Sequence, residues 1–203
     1  MSPTLYTVGH SNHTCDAFVS LLTMHRVTAV ADVRSTPYSR RNPQFNRDDI
    51  RAALKSLSIQ YVFLGKELGA RSNDDCCYVD DKVRYSMLAQ TALFKSGIER
   101  LLEGARSHRI ALMCAEKDPL DCHRTILVSR GLVLRGANIL HILSGGSIET
   151  QDEALRRLVQ RLKLGGEDLF RSEAVTVEEA YERQGNLIAY DRAVHRAGLP
   201  GDV

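Results

Sequence analysis

The stretch RIALMCAEKDPLDCHR, residues 109 to 124, reads as a strand that runs into a loop and then into a helix. RIALMC reads as a strand, apolar from Ile110 to Cys114. In the loop that follows, Asp118 can cap a helix and Pro119 fits its first position, where no N–H is needed. Asp121 falls at the third position, where an acid favours the helix N-terminus. This predicts Cys122, His123 and Arg124 just beyond the first helical turn. A wholly apolar strand followed by a helix is the building unit of a parallel sheet covered on both faces.

The same step recurs in both directions along the chain. LYTVG (5–9) precedes DAFVSLLTMH, whose Phe18, Leu21, Leu22 and His25 share one helical face. VTAVADVR (27–34) is followed by a Pro-containing loop and by Asn46, which caps RDDIRAALKSL. IQYVFLG (59–65) reads as the third strand. Residues 80–107 predict one helical segment with Gly97 as a weak point, and ANILHIL (137–143) is a fifth strand that stops at SGGS. The pattern predicts an α/β domain with five mostly parallel strands over residues 1–148. EALRRLVQRLKL and VEEAYERQGNLIAYD predict a helical C-terminal extension over 149–203 that packs on it.

A chain of 203 residues with 43% hydrophobic content suits one such domain plus an extension. MSPTLYTVGHSNHT lacks the features of a secretion or transit signal, and no apolar stretch approaches the roughly 20 residues of a membrane span. The expectation is a cytoplasmic protein with no membrane partner. The cysteines (15, 76, 77, 114 and 122) form no paired C-x-x-C units, which predicts free thiols. A net charge of +2 is too small to announce a nucleic-acid binder, although arginine outnumbers lysine and its planar fork suits carboxylate or phosphate.

In open parallel sheets, ligands bind outside the carboxyl ends of the strands. The polar residues at those ends are His10 and Ser11 after strand one, Asp32 and Arg34 after strand two, Gly65 after strand three, and Cys114 and Glu116 after strand four. A strand order of 3-2-1-4-5 would set His10 beside Cys114 and Glu116. Cys122, near a helix N-terminus with His123 and Arg124 adjacent, is a candidate nucleophile, expected to alkylate faster than Cys15. Glu116 is a candidate general acid or base. The competing reading packs both Cys114 and Cys122 as inert thiols, satisfies His123 with a backbone carbonyl, and leaves Glu116 as a surface charge.

Two templates fail. A phosphate-cradling cysteine loop needs an arginine six residues after the cysteine, but Leu120 stands there, and GHSNHT replaces the G-x-G-x-x-G of a dinucleotide site. No cofactor is predicted. Even so, His10, Cys114, Glu116, Cys122 and His123 are all competent ligands, and three of them converging would hold Zn or Fe. DVRSTPYSRRNPQF combines three arginines with Tyr38 and Phe45 in a loop that prolines keep from being helical. Such a loop can hold a nucleotide phosphate and stack on a base. Alternatively, Asp32 pairs with Arg34 or Arg40 and Phe45 packs beneath.

TVGHS, DVRSTPYSR with Phe45, YVFLGKELGAR and CAEKDPLDCHR, in this order over residues 4–143, resemble the domain of unknown function 488 family. The resemblance implies a Rossmann-like three-layer α/β domain without an established activity. It also implies one site containing His10, Asp32, Arg34, Arg40, Gly65, Cys114, Glu116, Cys122, His123 and Arg124. The resulting expectation is an enzyme acting on an anionic, nucleotide-like small molecule at the strand ends. The alternative is a nucleotide or nucleic-acid binding module in which the cysteines are only packed.

Overall fold

The computed structural model describes residues 2–164 and 172–196. The strands are β1 (Thr4–Gly9), β2 (Ala29–Asp32), β3 (Gln60–Phe63), β4 (Tyr78–Val79), β5 (Lys82–Val83), β6 (Ile110–Cys114), β7 (Asn138–Ile142) and β8 (Ile148–Thr150). The α-helices are α1 (Cys15–Met24), α2 (Arg47–Ser56), α3 (Gly65–Leu68), α4 (Tyr85–Leu88), α5 (Ala92–Gly104), α6 (Arg130–Val133), α7 (Gln151–Arg161), α8 (Glu173–Ile188) and α9 (Arg192–Arg196).

Six strands form the central sheet in the order β3-β2-β6-β1-β7-β8, with β4 and β5 paired apart from it. All neighbours in the central sheet are parallel except β7 and β8. Alternate residues serve opposite faces, as strand geometry requires. Ile110, Leu112 and Cys114 of β6 join Leu5, Phe94, Ile98 and Leu132 on the side of α5 and α6. Ala111 and Met113 join Tyr6, Val8, Phe18, Ile50 and Leu54 on the side of α1 and α2. The result is a Rossmann-like three-layer α/β domain. The C-terminal helices add a smaller cluster in which Ala154, Leu158, Ala180 and Tyr181 pack on Leu120 and Ile126. The parts of the predicted extension at 165–171 and 197–203 lie outside the described residues.

Four sequence-based expectations are corrected. The sheet has six strands rather than five, because the chain reverses at Leu143–Ser147, with Gly146 at φ +87°, and returns as β8. That strand is three residues long and two of them, Glu149 and Thr150, are polar, so it carries no visible periodicity. The order also differs from 3-2-1-4-5: β6, buried at all five residues, takes the centre between β1 and β2. A helical crossover can span a strand, so consecutive β1 and β2 need not touch. Next, residues 80–107 do not form one helix. Asp80 and Asp81 adopt positive φ in the β4–β5 turn, and the Thr91 side chain caps a fresh start at α5. Gly97 sits within α5 where a Cβ would lie 2.7 Å from that of Glu67, so it lets α3 approach closely.

Fourth, residues 118–129 do not form the single helix that their sequence predicts. Asp118 accepts from the Leu120 N–H and starts a 3-10 turn at Pro119–Asp121 as its residues suggest, but the turn does not continue. Cys122 is extended (φ −134°, ψ 139°), and a new helix begins after it. That second helix is π-helical over Arg124–Ser129 and runs into α6. The Ser129 hydroxyl donates to the Arg124 carbonyl within the widened turn. Such turns are rare and tend to occur where a side chain must be re-aimed. Here the break sends Cys122 and His123 back toward the end of β6.

Candidate functional site

The ladder between β1 and β6 extends past the strands: the N–H groups of His10 and Ser11 donate to the carbonyls of Cys114 and Ala115. Val33 N–H donates to Met113 on the other side. The chain after β6 is therefore gripped between the ends of β1 and β2. A cleft of about 1000 Å³ opens there, with His10, Ser11, Arg34, Cys114, Glu116 and His123 among its lining residues.

Cys114, Cys122 and His123 meet at the base of this cleft. The Cys114 thiol donates to Glu116 Oε2 at 3.1 Å, and its sulfur lies 3.7 Å from His123 Nδ1. Cys122 Sγ lies 3.9 Å from the same nitrogen and accepts the Arg124 backbone N–H at 3.4 Å. His123 Nε2 donates to the Val33 carbonyl at 2.9 Å, so in the neutral ring the lone pair sits on Nδ1 and faces both sulfurs. Burial pushes the Cys114 thiol well up, and neighbouring Cys122 and Glu116 add to that. Burial also opposes ionisation of Cys122, but the Cys114 hydrogen bond, the Arg124 charge and His123 outweigh it and hold that thiol well below its ordinary range. Glu116 is open to the cleft but surrounded by protein on its other sides. Desolvation and nearby Cys122 raise its carboxyl to about 7.

The remaining expected site residues divide sharply. His10 lines the cleft, yet both ring nitrogens are engaged: Nδ1 donates to the Ser11 carbonyl and Nε2 accepts from Arg34. Its ring stacks on Phe45 at 4.4 Å, and burial with the Arg34 charge holds its pKa down at about 4. It is thus a neutral spacer rather than a base. Arg34 lines the cleft while most of its fork is taken by Asp32 and the Phe45 carbonyl. Asp32 is wholly buried and also accepts from Tyr61. Gly65 is a packing position, since a Cβ there would stand 1.9 Å from the Arg34 carbonyl oxygen. Arg124 is buried and ties down the loop through the Glu116 and Lys117 carbonyls. Arg40 is exposed, and its neighbour Arg41 lines the cleft instead. Cys122 is 1% exposed and lies behind Cys114 and His123, outside the lining.

Sequence reasoning missed the far wall. Arg71, Lys82, Tyr85, Leu187–Asp191 and Val194 line it. The segment after α8 is held there by backbone bonds from Val83 to Tyr190 and from Arg192 to Asp81. Arg71 packs over the Tyr190 ring at 4.7 Å. Tyr85 lay hidden in the stretch read as one helix; only the aspartate pair before it signalled a turn. Cys76 is exposed and Cys77 is buried in the core, and neither lines the cleft.

The family model Domain of unknown function DUF488 matches residues 14–130, more than half of the chain. The chain belongs to this family. The match contains Asp32, Arg34, Cys114, Glu116, Cys122 and His123 but stops short of His10 on one side and of β7, β8 and the C-terminal helices on the other. No curated protein and no solved structure matches the chain. Among the described residues, no helix of this DUF488 member is long and apolar enough to cross a membrane.

Proposed function

We propose that this DUF488 protein is an enzyme acting on an anionic, nucleotide-like small molecule held in the cleft at the strand ends. The observation that carries this reading is the meeting of Cys114, Glu116 and His123 at the base of a cleft whose walls bear Arg41, Arg71 and Lys82. Guanidinium groups suit phosphate, and the walls also present Tyr38 and Tyr85, rings on which a base can stack. Glu116, reaching the cleft from the loop after β6, is the acid or base of this reading. Cys114 and His123 lie beneath the substrate.

The experiment is equilibrium binding of adenosine and AMP to the full chain, followed by chromatography for conversion of a panel of nucleoside monophosphates. AMP should bind at least about tenfold tighter than adenosine, a difference of about 1.4 kcal/mol. Lys82→Ala should reduce that preference, and Glu116→Gln should bind but not convert. Equal affinity for adenosine and AMP would remove the anion from the reading. Binding without conversion, weakened steeply by salt and stronger for a single-stranded oligonucleotide, would favour the binding module instead, a reading that the deep burial of Cys122 also favours.

A further inference from the structure

Cys114 Sγ, Cys122 Sγ and His123 Nδ1 all lie within 4.8 Å of one another. The sulfur–nitrogen separations of 3.7 and 3.9 Å are long for hydrogen bonds between a thiol and an imidazole. They are close to the edges of a metal tetrahedron. With Zn–S of about 2.3 Å and Zn–N of about 2.0–2.1 Å, tetrahedral angles put sulfur and nitrogen roughly 3.6 Å apart and two sulfurs roughly 3.8 Å apart. We propose that Cys114, Cys122 and His123 bind a zinc ion whose fourth position opens on the cleft beside Glu116.

Three independent features of the surroundings support this set. The first is the imidazole: its Nε2 is committed to the Val33 carbonyl, the outer contact that orients a metal-bound histidine and leaves Nδ1 for the ion. The second is the Arg124 backbone N–H, which donates to Cys122 Sγ and would steady a coordinated thiolate. The third is the backbone itself. Cys114 ends a fully buried strand, and the break between the 3-10 turn and the π-helix turns Cys122 and His123 toward it. A continuous helix would point residues 122 and 123 about 100° apart. His10 does not belong to the set, because both its nitrogens are already bonded.

Two thiolates and an imidazole form a soft donor set that suits zinc and disfavours magnesium or calcium. On binding, both sulfurs coordinate as thiolates, any thiol proton leaving to solvent, and each gives a lone pair to the ion. Cys114 and His123 line the cleft, so the open side of the tetrahedron faces it. Three protein ligands with a free position are the pattern of a catalytic zinc rather than a structural one. Water in that position would pass a proton to the Glu116 carboxylate and remain on zinc as hydroxide facing the substrate. This last step deepens the reading of the cleft as an active site and rests on it; binding of the ion does not.

The test uses the full chain purified from zinc-supplemented culture and dialysed against zinc-free buffer. Elemental analysis should find about one equivalent of zinc in the wild type, and at least about tenfold less in Cys122→Ser and His123→Ala. Circular dichroism establishes that the variants are folded. Should either fail to fold, cobalt(II) added to the metal-free wild type decides instead. Thiolate-to-cobalt charge-transfer bands with intense tetrahedral d–d bands are expected, and a weak octahedral spectrum would overturn the proposal. Equal zinc in Cys122→Ser and wild type, or iron in place of zinc, would overturn it as well. Glu116→Gln should keep the ion; its loss would make Glu116 the fourth ligand and close the open position. Zinc binding without nucleotide binding would sink the proposed substrate alone, and nucleotide conversion by zinc-free protein would sink the catalytic role of the zinc alone.

Discussion

Arg34 and Asp32, two residues apart at the end of β2, form a buried bidentate pair with Nε–Oδ1 at 2.9 Å and Nη2–Oδ2 at 2.6 Å. Two-residue spacing in extended chain puts both side chains on one face, and the Arg34 N–H closes the turn on Asp32 Oδ1. The pair fixes the second wall of the cleft and, through Arg34, the ring of His10. Removing one member of a buried pair leaves the other charged and unpartnered, at a cost of about 3–5 kcal/mol. Asp32→Ala should therefore lower unfolding stability by about that amount in urea titration, and Asp32→Ala with Arg34→Met should recover part of it. A loss below about 1 kcal/mol, the range of exposed pairs, would show that the pair does not hold this wall.

The α/β class was legible because each strand of the parallel core is apolar throughout or nearly so, and its helices carry clear one-sided spacing. The adjacency of β1 and β6 was legible from the polar residues that end them. The break at Cys122 was not: Asp118, Pro119 and Asp121 are a sound helix start, and they do start one turn. What ends that turn is tertiary, since Leu120 is buried against the C-terminal helices and Gln184 donates to its carbonyl. Asp118 is further held by Arg157 of α7. The far cleft wall was illegible for the same reason, because it depends on where the chain after α8 returns to β5.

Gly9 is the position where the loop bearing Glu116 crosses the end of β1. A Cβ there would stand 1.9 Å from the Glu116 carbonyl oxygen and 3.2 Å from Arg124 Nη2. The first of these is backbone, pinned by Arg124 Nη1 at 2.7 Å, so it cannot swing aside as a side-chain tip could. Gly9→Ala should cost about 1–3 kcal/mol, the range for overpacking, in thermal or urea unfolding. An unchanged midpoint would mean that the loop is not held against β1 in solution.

Thiol labelling should follow burial rather than neighbours in sequence. Residue types around Cys122 predict that it alkylates faster than Cys15, but Cys122 is 1% exposed whereas Cys15 is half-buried. Low thiol pKa does not help a sulfur that the reagent cannot reach. Cys76 is exposed, yet its hydrogen bond to Asp74 pushes it up to about 12, which leaves little thiolate near neutral pH. Brief iodoacetamide treatment of folded protein in chelator, read by peptide mapping with Cys122→Ser as control, should label Cys15 before Cys122. Chelator excludes protection by metal, so rapid labelling of Cys122 under these conditions would contradict its buried placement.

His141 gives the fold a pH dependence whose sign is fixed by its bonding. The ring is buried on β7: Nδ1 accepts from the Thr7 hydroxyl at 2.8 Å and Nε2 donates to Gln151 Oε1 at 2.9 Å, a neutral arrangement. Burial first, then the Arg124 charge, lowers its pKa from 6.5 to about 4; Arg157 acts in the same direction, while the Gln151 bond and Glu149 oppose it. Between those values the unfolded chain binds a proton that the folded chain does not. The contribution of the ring is therefore complete above pH 6.5 and is lost as pH falls toward 4. One proton corresponds to at most about 1.4 kcal/mol per pH unit, or about 3–3.5 kcal/mol over the whole window. Urea midpoints of wild type and His141→Gln measured from pH 7.5 to 4.5 isolate this effect in their difference. The advantage of the wild type should shrink steadily below pH 6.5, and a difference that stays flat across the series would show that His141 is not held neutral between Thr7 and Gln151.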